Sequence, residues 1–254
     1  MSGQREAEAM RRRAGRAIGV ALVIVMGGGV PNAAAQADRY PAMAPIDQYL
    51  MERGAEVQLA RSAAPDALSR DATILVLGRQ GYETAVQGTN GLVCMVGRSW
   101  LAAFDWPEFW NPRVRAADCM NPLAARAMVP IAMLRSRMVM AGRSKGEILA
   151  ALKAAFGKRQ LPDLESGAMD YMMSPSSWLA DAGDHNTPHV MFFAQGTDAA
   201  GGDAGVAGSP VVSVPFWFFS SSDPSQMDGL PPIRVFLVMV PAWSDGTPAG
   251  RHDP

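Results

Sequence analysis

Residues 72–97 read ATILVLGRQGYETAVQGTNGLVCMVG, and this stretch decides the fold class. β-forming residues fill 73–77, 82–87 and 92–96, and glycine-containing turn sequences separate the three runs. The last separator contains Asn90-Gly91, a strong hairpin signal because both residues tolerate positive φ. The stretch therefore predicts three short strands joined as a meander.

Helical patterns flank this β region on both sides. Upstream, 46–60 places apolar residues on one face and charged residues, among them Glu56, on the outer face. Downstream, Asn121 and the proline after it are typical of a helix start, and the pattern continues to residue 141. Pro130 within this pattern predicts a kink or a break, because proline lacks the N–H that a helix needs.

The last third of the chain returns to β patterns. Before it, Ser144 and Glu147 have the spacing of a capping box, which predicts a helix ending near Gly157. The candidate strands cover 168–173, 190–194, 211–219 and 233–240. This segregated order predicts an α+β fold, in which helices pack on an antiparallel sheet made of the meander and the C-terminal strands. PAS and profilin folds have a similar element order, which is an analogy of fold alone.

The first 37 residues have the three parts of a bacterial secretory signal peptide. Arginines at 11–13 and 16 form a basic region, 17–26 is apolar, and alanines at 33, 35 and 37 offer a small-residue cleavage site. The apolar part is too short for a permanent span of about 30 Å of hydrocarbon. We therefore expect a signal peptide at 1–37, a single domain at 38–247, a frayed tail at 248–254, and a periplasmic or secreted location.

Composition excludes two classes of partner for the remaining chain. Removing the five basic and two acidic residues of 1–37 from the 23 basic and 24 acidic residues of the whole leaves a net charge of about −4. This balance gives no electrostatic basis for binding nucleic acid or an anionic membrane surface. No segment after residue 37 has the roughly 18 uninterrupted apolar residues of a membrane span.

Two cysteines, Cys94 and Cys119, are the whole cysteine complement of the chain. An even number of cysteines in an exported protein favours a disulfide, and the alternative is two buried free thiols. The spacing differs from the C-x-x-C pattern of redox-active pairs. We predict a structural bridge.

The densest group of metal-ligating residue types lies at Asp181, Asp184, His185 and His189. Two imidazoles and two carboxylates within nine residues can hold zinc or another divalent metal, which would fit a metal-dependent hydrolase using His185 and His189. Glycine and proline within the segment exclude a helical His pair, so the ligands would converge from a loop. The alternative is a polar loop in which His189 is satisfied by hydrogen bonds.

An aromatic cluster follows the predicted meander. Five rings occur within eleven residues, and they are a possible ligand pocket: Trp100, Phe104, Trp106, Phe109 and Trp110. The alternative is a mini-core packed against the sheet. In either case 99–121 is long for an irregular loop, and long ordered loops are often functional.

Four stretches of the sequence resemble a group of uncharacterised bacterial exported proteins. They are EVQLARSAAPDALSRDATILVLGRQGYETAVQGTNGLVCMVGRSW at 56–100, FWNPRVRAADCMNP, GAMDYMMS and the closing WSDGT. The resemblance implies export and one domain after the signal peptide. It implies no activity and no catalytic residue.

Together these observations predict an exported α+β domain without a cofactor. Its leading functional interpretation is a non-catalytic protein that binds a small molecule or an envelope component. The alternative is the metal-dependent hydrolase, with a divalent ion such as zinc as its cofactor.

Overall fold

The computed structural model describes residues 39–181, 187–196, 211–216, 218, 221 and 223–250. All of them belong to one compact unit, which spans Ala33–Pro254. The predicted signal peptide, His185 and Asp184 lie outside the described residues.

Four α-helices and eight strands form the described part of the chain. The helices are α1 (Arg53–Arg61), α2 (Asp66–Ser69), α3 (Pro122–Met140) and α4 (Lys145–Gly157). The strands are β1 (Thr73–Gly78), β2 (Gly81–Val86), β3 (Val93–Gly97), β4 (Ala116–Met120), β5 (Met169–Met172), β6 (His189–Gln195), β7 (Val211–Pro215) and β8 (Ile233–Met239).

All eight strands lie in one open sheet with the order β2-β1-β3-β4-β5-β6-β8-β7. Neighbouring strands are antiparallel except β1 and β3, which are parallel. The predicted α+β class with a largely antiparallel sheet is confirmed.

The predicted meander is wrong in its connection. β1 and β2 form a hairpin, but β3 pairs with the other edge of β1, so the chain crosses the end of β1 between β2 and β3. At the crossing a Cβ on Gly88 would lie 2.2 Å from the backbone of Ala72 and Thr73, so the position requires glycine. Asn90 donates its Nδ2–H to the Leu68 carbonyl, 2.7 Å away, and serves the crossing rather than a hairpin turn.

Each face of the sheet packs against a different helix. α1 contacts β1, β3 and β4 on one face, and α3 contacts β2, β4 and β5 on the other. Because strand side chains alternate between faces, Cys94 and Cys119 pack with α1, whereas Met95 and Met120 pack with α3.

The predicted cysteine pair is confirmed. Cys94 and Cys119 lie opposite each other in the register of β3 and β4, with their sulfur atoms at disulfide distance, 1.95 Å. The bridge thus joins two neighbouring strands near the middle of the sheet.

The first predicted helix is shorter than expected, and its orientation corrects the sequence interpretation. A 3-10 turn covers Ile46–Gln48, and α1 begins at Arg53, where the side chain of Glu52 accepts the N–H groups of Gly54 and Ala55. Glu56, expected on the outer face, is buried. Its carboxylate accepts hydrogen bonds from the Leu77 N–H and from Arg98. Helical periodicity cannot predict these partners, because they are distant in sequence.

The two helix starts predicted from capping residues are confirmed. Asn121 Oδ1 accepts the Ala124 N–H at 2.9 Å, and Ser144 and Glu147 form the reciprocal capping box. The predicted break at Pro130 does not occur, because α3 continues through this residue to Met140. Residues on both sides of Pro130, Met128 and Ile131, are buried in the core and hold the helix together.

In the described part of the chain, every helix is too short or too polar to cross a membrane. The start of the predicted frayed tail is attached to the domain: Pro248 pairs with Ala242, and the Ala249 N–H donates to the Pro241 carbonyl at 2.9 Å. Residues 251–254 lie outside the described residues.

Candidate functional site

A cavity of about 280 Å³ lies on the face of the sheet that packs against α3. Most of its lining is apolar, and the apolar residues include Leu101, Val114, Met120, Met128, Met172 and Leu237. Five residues with polar side chains also line it: Arg98, Ser99, Asp118, Asp170 and His189. An apolar cavity with a few polar groups is the usual form of a small-molecule site.

Strand alternation explains why two aspartates reach the cavity. Met120 lies opposite Asp170 in the register of β4 and β5. Positions 118 and 120 of β4 and position 170 of β5 therefore share one face, while Cys119 faces α1. Two acidic side chains on adjacent strands are thus held against the same apolar cavity.

Asp118 is half-buried and has no hydrogen-bond partner among the described residues. Burial, followed by repulsion from Asp170, raises the pKa of its carboxyl well above the usual range. Gly97 lies beside it: a Cβ there would be 3.4 Å from Asp118 Oδ2, so glycine leaves room for the carboxyl group. The raised pKa favours the protonated form of Asp118, which can donate a hydrogen bond.

Asp170 differs from Asp118 because the backbone holds it. Its Oδ1 accepts the Cys119 N–H at 2.8 Å, and the Tyr171 N–H also favours its charged form. Burial nevertheless outweighs these bonds and raises the pKa of Asp170 to about 7. Because the two carboxyls interact, the pair as a whole holds at least one proton at neutral pH.

His189 lines the cavity from the start of β6 and is buried. Its Nδ1 lies 2.6 Å from the Thr187 carbonyl oxygen, which can only accept, so Nδ1 carries the proton. Burial lowers the pKa of the ring, and His189 is therefore neutral at pH 7 with Nε2 as an acceptor.

The guanidinium of Arg98 lines the cavity but is already hydrogen-bonded within the protein. It donates to the carboxylate of Glu56 at 2.9 Å and, through Nε, to the Tyr49 carbonyl at 2.8 Å. Glu56 also accepts the Leu77 N–H at 3.0 Å. This pair joins α1, β1 and the end of β3, and it neutralises Arg98, the cation among the described lining residues.

Ser99 is the remaining polar residue of the lining. It is buried, and its Oγ has no hydrogen-bond partner in the described structure. A buried hydroxyl without a partner is uncommon in native proteins, and a bound ligand at the cavity would supply one to Ser99.

The five aromatic residues of the predicted pocket lie in two different settings. Trp106 lines the cavity, whereas the other four rings are buried in the core: Trp100, Phe104, Phe109 and Trp110. The mini-core interpretation describes these four, because rings that pack on one another bury more apolar surface than rings around a cavity. The 99–121 segment still forms one wall, through Ser99, Leu101 and Val114 among others.

The predicted metal ligands are not brought together in the described residues. Asp181 accepts hydrogen bonds from Asn111 and Tyr40 and faces Arg39 and Arg113, at 3.1 and 3.3 Å. His189 lies at the cavity instead. Among the described residues no three His, Cys, Asp or Glu side chains form a metal-binding group. A zinc site using His185 and Asp184 stays a prediction, since both lie outside these residues.

The sequence interpretation missed Asp118 and Asp170. A signal for them exists in the runs Ala116–Met120 and Met169–Met172, where an aspartate stands between apolar residues of a short strand. A carboxylate at such a position is costly to bury and therefore indicates function.

Comparison of the chain with protein-family models, with curated proteins and with solved structures finds no match. The resemblance to exported bacterial proteins and the PAS or profilin analogy therefore stay predictions. The candidate function depends on the cavity itself.

Proposed function

We propose that this chain is an exported, non-catalytic protein that binds a small, mostly apolar molecule with one polar group in the cavity. The observation that carries the proposal is that two polar groups of an apolar cavity, the Ser99 Oγ and the Asp118 carboxyl, have no hydrogen-bond partner among the described residues.

Polar groups without partners destabilise the empty protein. A buried hydroxyl without a hydrogen bond, such as that of Ser99, costs about 1–3 kcal/mol relative to its hydrated state. A ligand that brings a polar group to Asp118 and Ser99 removes this cost, and its apolar part replaces water along the methionine and leucine side chains. Asp118 and Ser99 therefore destabilise the protein with an empty cavity and favour ligand binding.

The volume limits the size of the ligand. A cavity of about 150 Å³ is enough to bind benzene. This cavity, of about 280 Å³, is larger and accommodates a ring with a short side chain.

Export is supported by two independent features. The signal-peptide pattern at 1–37 directs a chain to the secretory pathway. The cysteine pair at disulfide distance fits an oxidising compartment such as the periplasm. N-terminal sequencing of the exported protein should begin at Gln36 or Asp38, and a mature chain retaining the arginines at 11–16 would contradict export with cleavage.

Methionine methyl groups offer a direct test of binding. Met120, Met128 and Met172 line the cavity, whereas Met51 packs on the α1 side. In protein labelled with [methyl-13C]methionine, 2-phenylethanol and 2-phenylethylamine are titrated separately. We expect at least one probe to shift the three cavity methyl resonances with saturation while Met51 is unchanged.

A matched pair of variants localises the binding. Ala116 lines the cavity, and Ala194 lies on the opposite face of the sheet. Ala116→Leu should fill part of the cavity and weaken binding at least tenfold, and Ala194→Leu should leave binding unchanged. Absence of saturable shifts with both probes, or binding that Ala116→Leu does not weaken, would contradict the proposed function.

A further inference from the structure

The arrangement of donors and acceptors around the cavity specifies the chemistry of the polar group. Resting on the proposed function, we infer that the ligand is a small apolar primary amine, bound as its ammonium ion between Asp118, Asp170 and Ser99.

The polar groups of the described lining are mainly acceptors. Once a cation has displaced their protons, Asp118 and Asp170 offer only acceptor oxygens, and the ring proton of His189 is committed to the Thr187 carbonyl. The Ser99 hydroxyl accepts as well as donates. A ligand that supplies several donors is complementary to this set, and an alkylammonium group carries three.

The positive charges near the cavity are engaged by other groups, apart from the buried Nε–H of Arg135, which has no partner among the described residues. Arg98 is paired with Glu56, and both side chains are fully buried. Arg135 of α3 donates to the carbonyl groups of Ala102 and Phe218, two residues of the cavity wall. An anionic ligand would meet two acidic side chains, and Arg98, the cation of the described lining, is already paired with Glu56, so these residues favour a cationic ligand over an organic acid.

A cation resolves the repulsion between the two aspartates. In the empty cavity, burial in apolar surroundings, followed by the like charges, favours retention of protons by the pair. An ammonium ion placed between the carboxyls provides a positive charge for both, so binding releases the protons that the pair holds to solvent. Asp170 keeps its backbone bond to Cys119 and has lone pairs left for the ligand.

This proton release predicts the pH dependence of binding. The titratable and charged groups around the pair include His189 on β6, Arg98 after β3 and Tyr82 on β2. Burial lowers the pKa of His189 and raises that of Tyr82, so both are neutral between pH 7 and pH 8. An alkylammonium stays protonated through pH 8, as lysine does. Amine affinity should therefore increase as pH rises through about 7, where Asp170 loses its proton.

The experiment compares two probes of nearly equal shape by isothermal titration calorimetry. 2-Phenylethylamine and 2-phenylethanol differ mainly in the ammonium group. At pH 8 we expect the amine to bind at least tenfold tighter, because charge-assisted hydrogen bonds to a carboxylate are about twice as strong as neutral ones. From pH 6 to pH 8 amine affinity should rise at least tenfold, and alcohol affinity should not rise.

Buffer dependence and one variant complete the test. At pH 6, where both carboxyls are mainly protonated, amine titrations in two buffers of different ionisation enthalpy should report release of more than one proton per site. Asp118→Asn should weaken amine binding at least tenfold at pH 8 and keep alcohol binding within about threefold. The control Asp163→Asn changes an exposed aspartate outside the cavity lining and should alter neither.

The outcomes separate this inference from the proposed function. Saturable alcohol binding that equals or exceeds amine binding would overturn the amine assignment and leave the proposed function standing. Equal loss of both ligands in Asp118→Asn would show a structural role for Asp118 and would also overturn it. If neither probe binds, both proposals fall.

Discussion

Two pairs of ionisable residues lie close to the cavity, and they have opposite character. Glu56 and Arg98 are oppositely charged, and their main polar atoms bind each other or the backbone of β1 and its neighbours. Asp118 and Asp170 are both acids, and only Asp170 has hydrogen bonds among the described residues.

The difference between the two pairs separates a structural role from a functional one. The first pair is complete without any added molecule and joins elements that are far apart in sequence. In the second pair, Asp118 has no hydrogen-bond partner among the described residues. Burial raises the pKa of both aspartates, and both line the cavity. A buried pair that lacks partners, rather than burial of charge by itself, indicates a ligand site.

Removing the complete pair should have the largest effect on stability. Glu56→Ala leaves the Arg98 guanidinium buried without its counter-ion and should lower the free energy of unfolding by about 3–5 kcal/mol. Urea denaturation at pH 7 measures this loss. The matched control is Glu83→Ala, which breaks an exposed pair with Arg53 and should cost less than about 1 kcal/mol. Equal losses in both variants would show that the Glu56–Arg98 pair has no special role.

Reducing the disulfide should have the next largest effect. The Cys94–Cys119 bridge closes a loop with a sequence separation of 25, for which loss of chain entropy gives about 3.5 kcal/mol as an upper value. Thermal unfolding with and without reductant measures it. The Cys119 N–H also holds Asp170, so reduction should weaken ligand binding as well as stability. Two freely alkylated thiols in exported protein would contradict the bridge.

Neutralising the incomplete pair should stabilise the protein, the opposite of the first prediction. Above about pH 4 the unfolded chain loses the Asp118 proton that the fold retains, because the folded pKa is raised. The stability from this group is therefore present at low pH and is lost as pH rises.

Asp118→Asn removes this dependence. We expect a gain of about 1–3 kcal/mol in the free energy of unfolding at pH 8 and almost none at pH 4. Urea denaturation of both proteins at the two pH values provides the comparison. A variant that is less stable than the original protein at pH 8 would mean that the Asp118 carboxylate has a stabilising partner.

The smallest expected effect is at the cavity wall. Trp106 is half-buried against the cavity, so Trp106→Ala should change stability by less than about 1 kcal/mol while weakening probe binding. Trp100 is the matched control: it is fully buried and donates to Ser136 Oγ at 2.9 Å, so Trp100→Ala should cost about 3–5 kcal/mol. A large loss in Trp106→Ala would assign Trp106 to the core.

Local signals predicted much of the secondary structure. The strands of 72–97, the Asn121 cap and the capping box at Ser144 were readable because they depend on residues within a few positions of one another. The cysteine pair was readable from its count alone. The sequence indicated less of the candidate site. It predicted His189 as a metal ligand and Trp106 as part of an aromatic pocket, and it gave no prediction for Asp118 and Asp170.

Only the tertiary structure decided the strand order and the site. β3 pairs with β1 because the chain crosses at Gly88, and Glu56 faces inward because Arg98 and the Leu77 N–H lie there. Asp118 and Asp170 are remote in sequence, yet their pKa values depend on each other and on the apolar wall around them. The sequence by itself determined propensities, caps and the even cysteine count, which are local or compositional. Desolvation and strand pairing act between residues that only the folded chain brings together, and they determined where the unpaired polar groups lie.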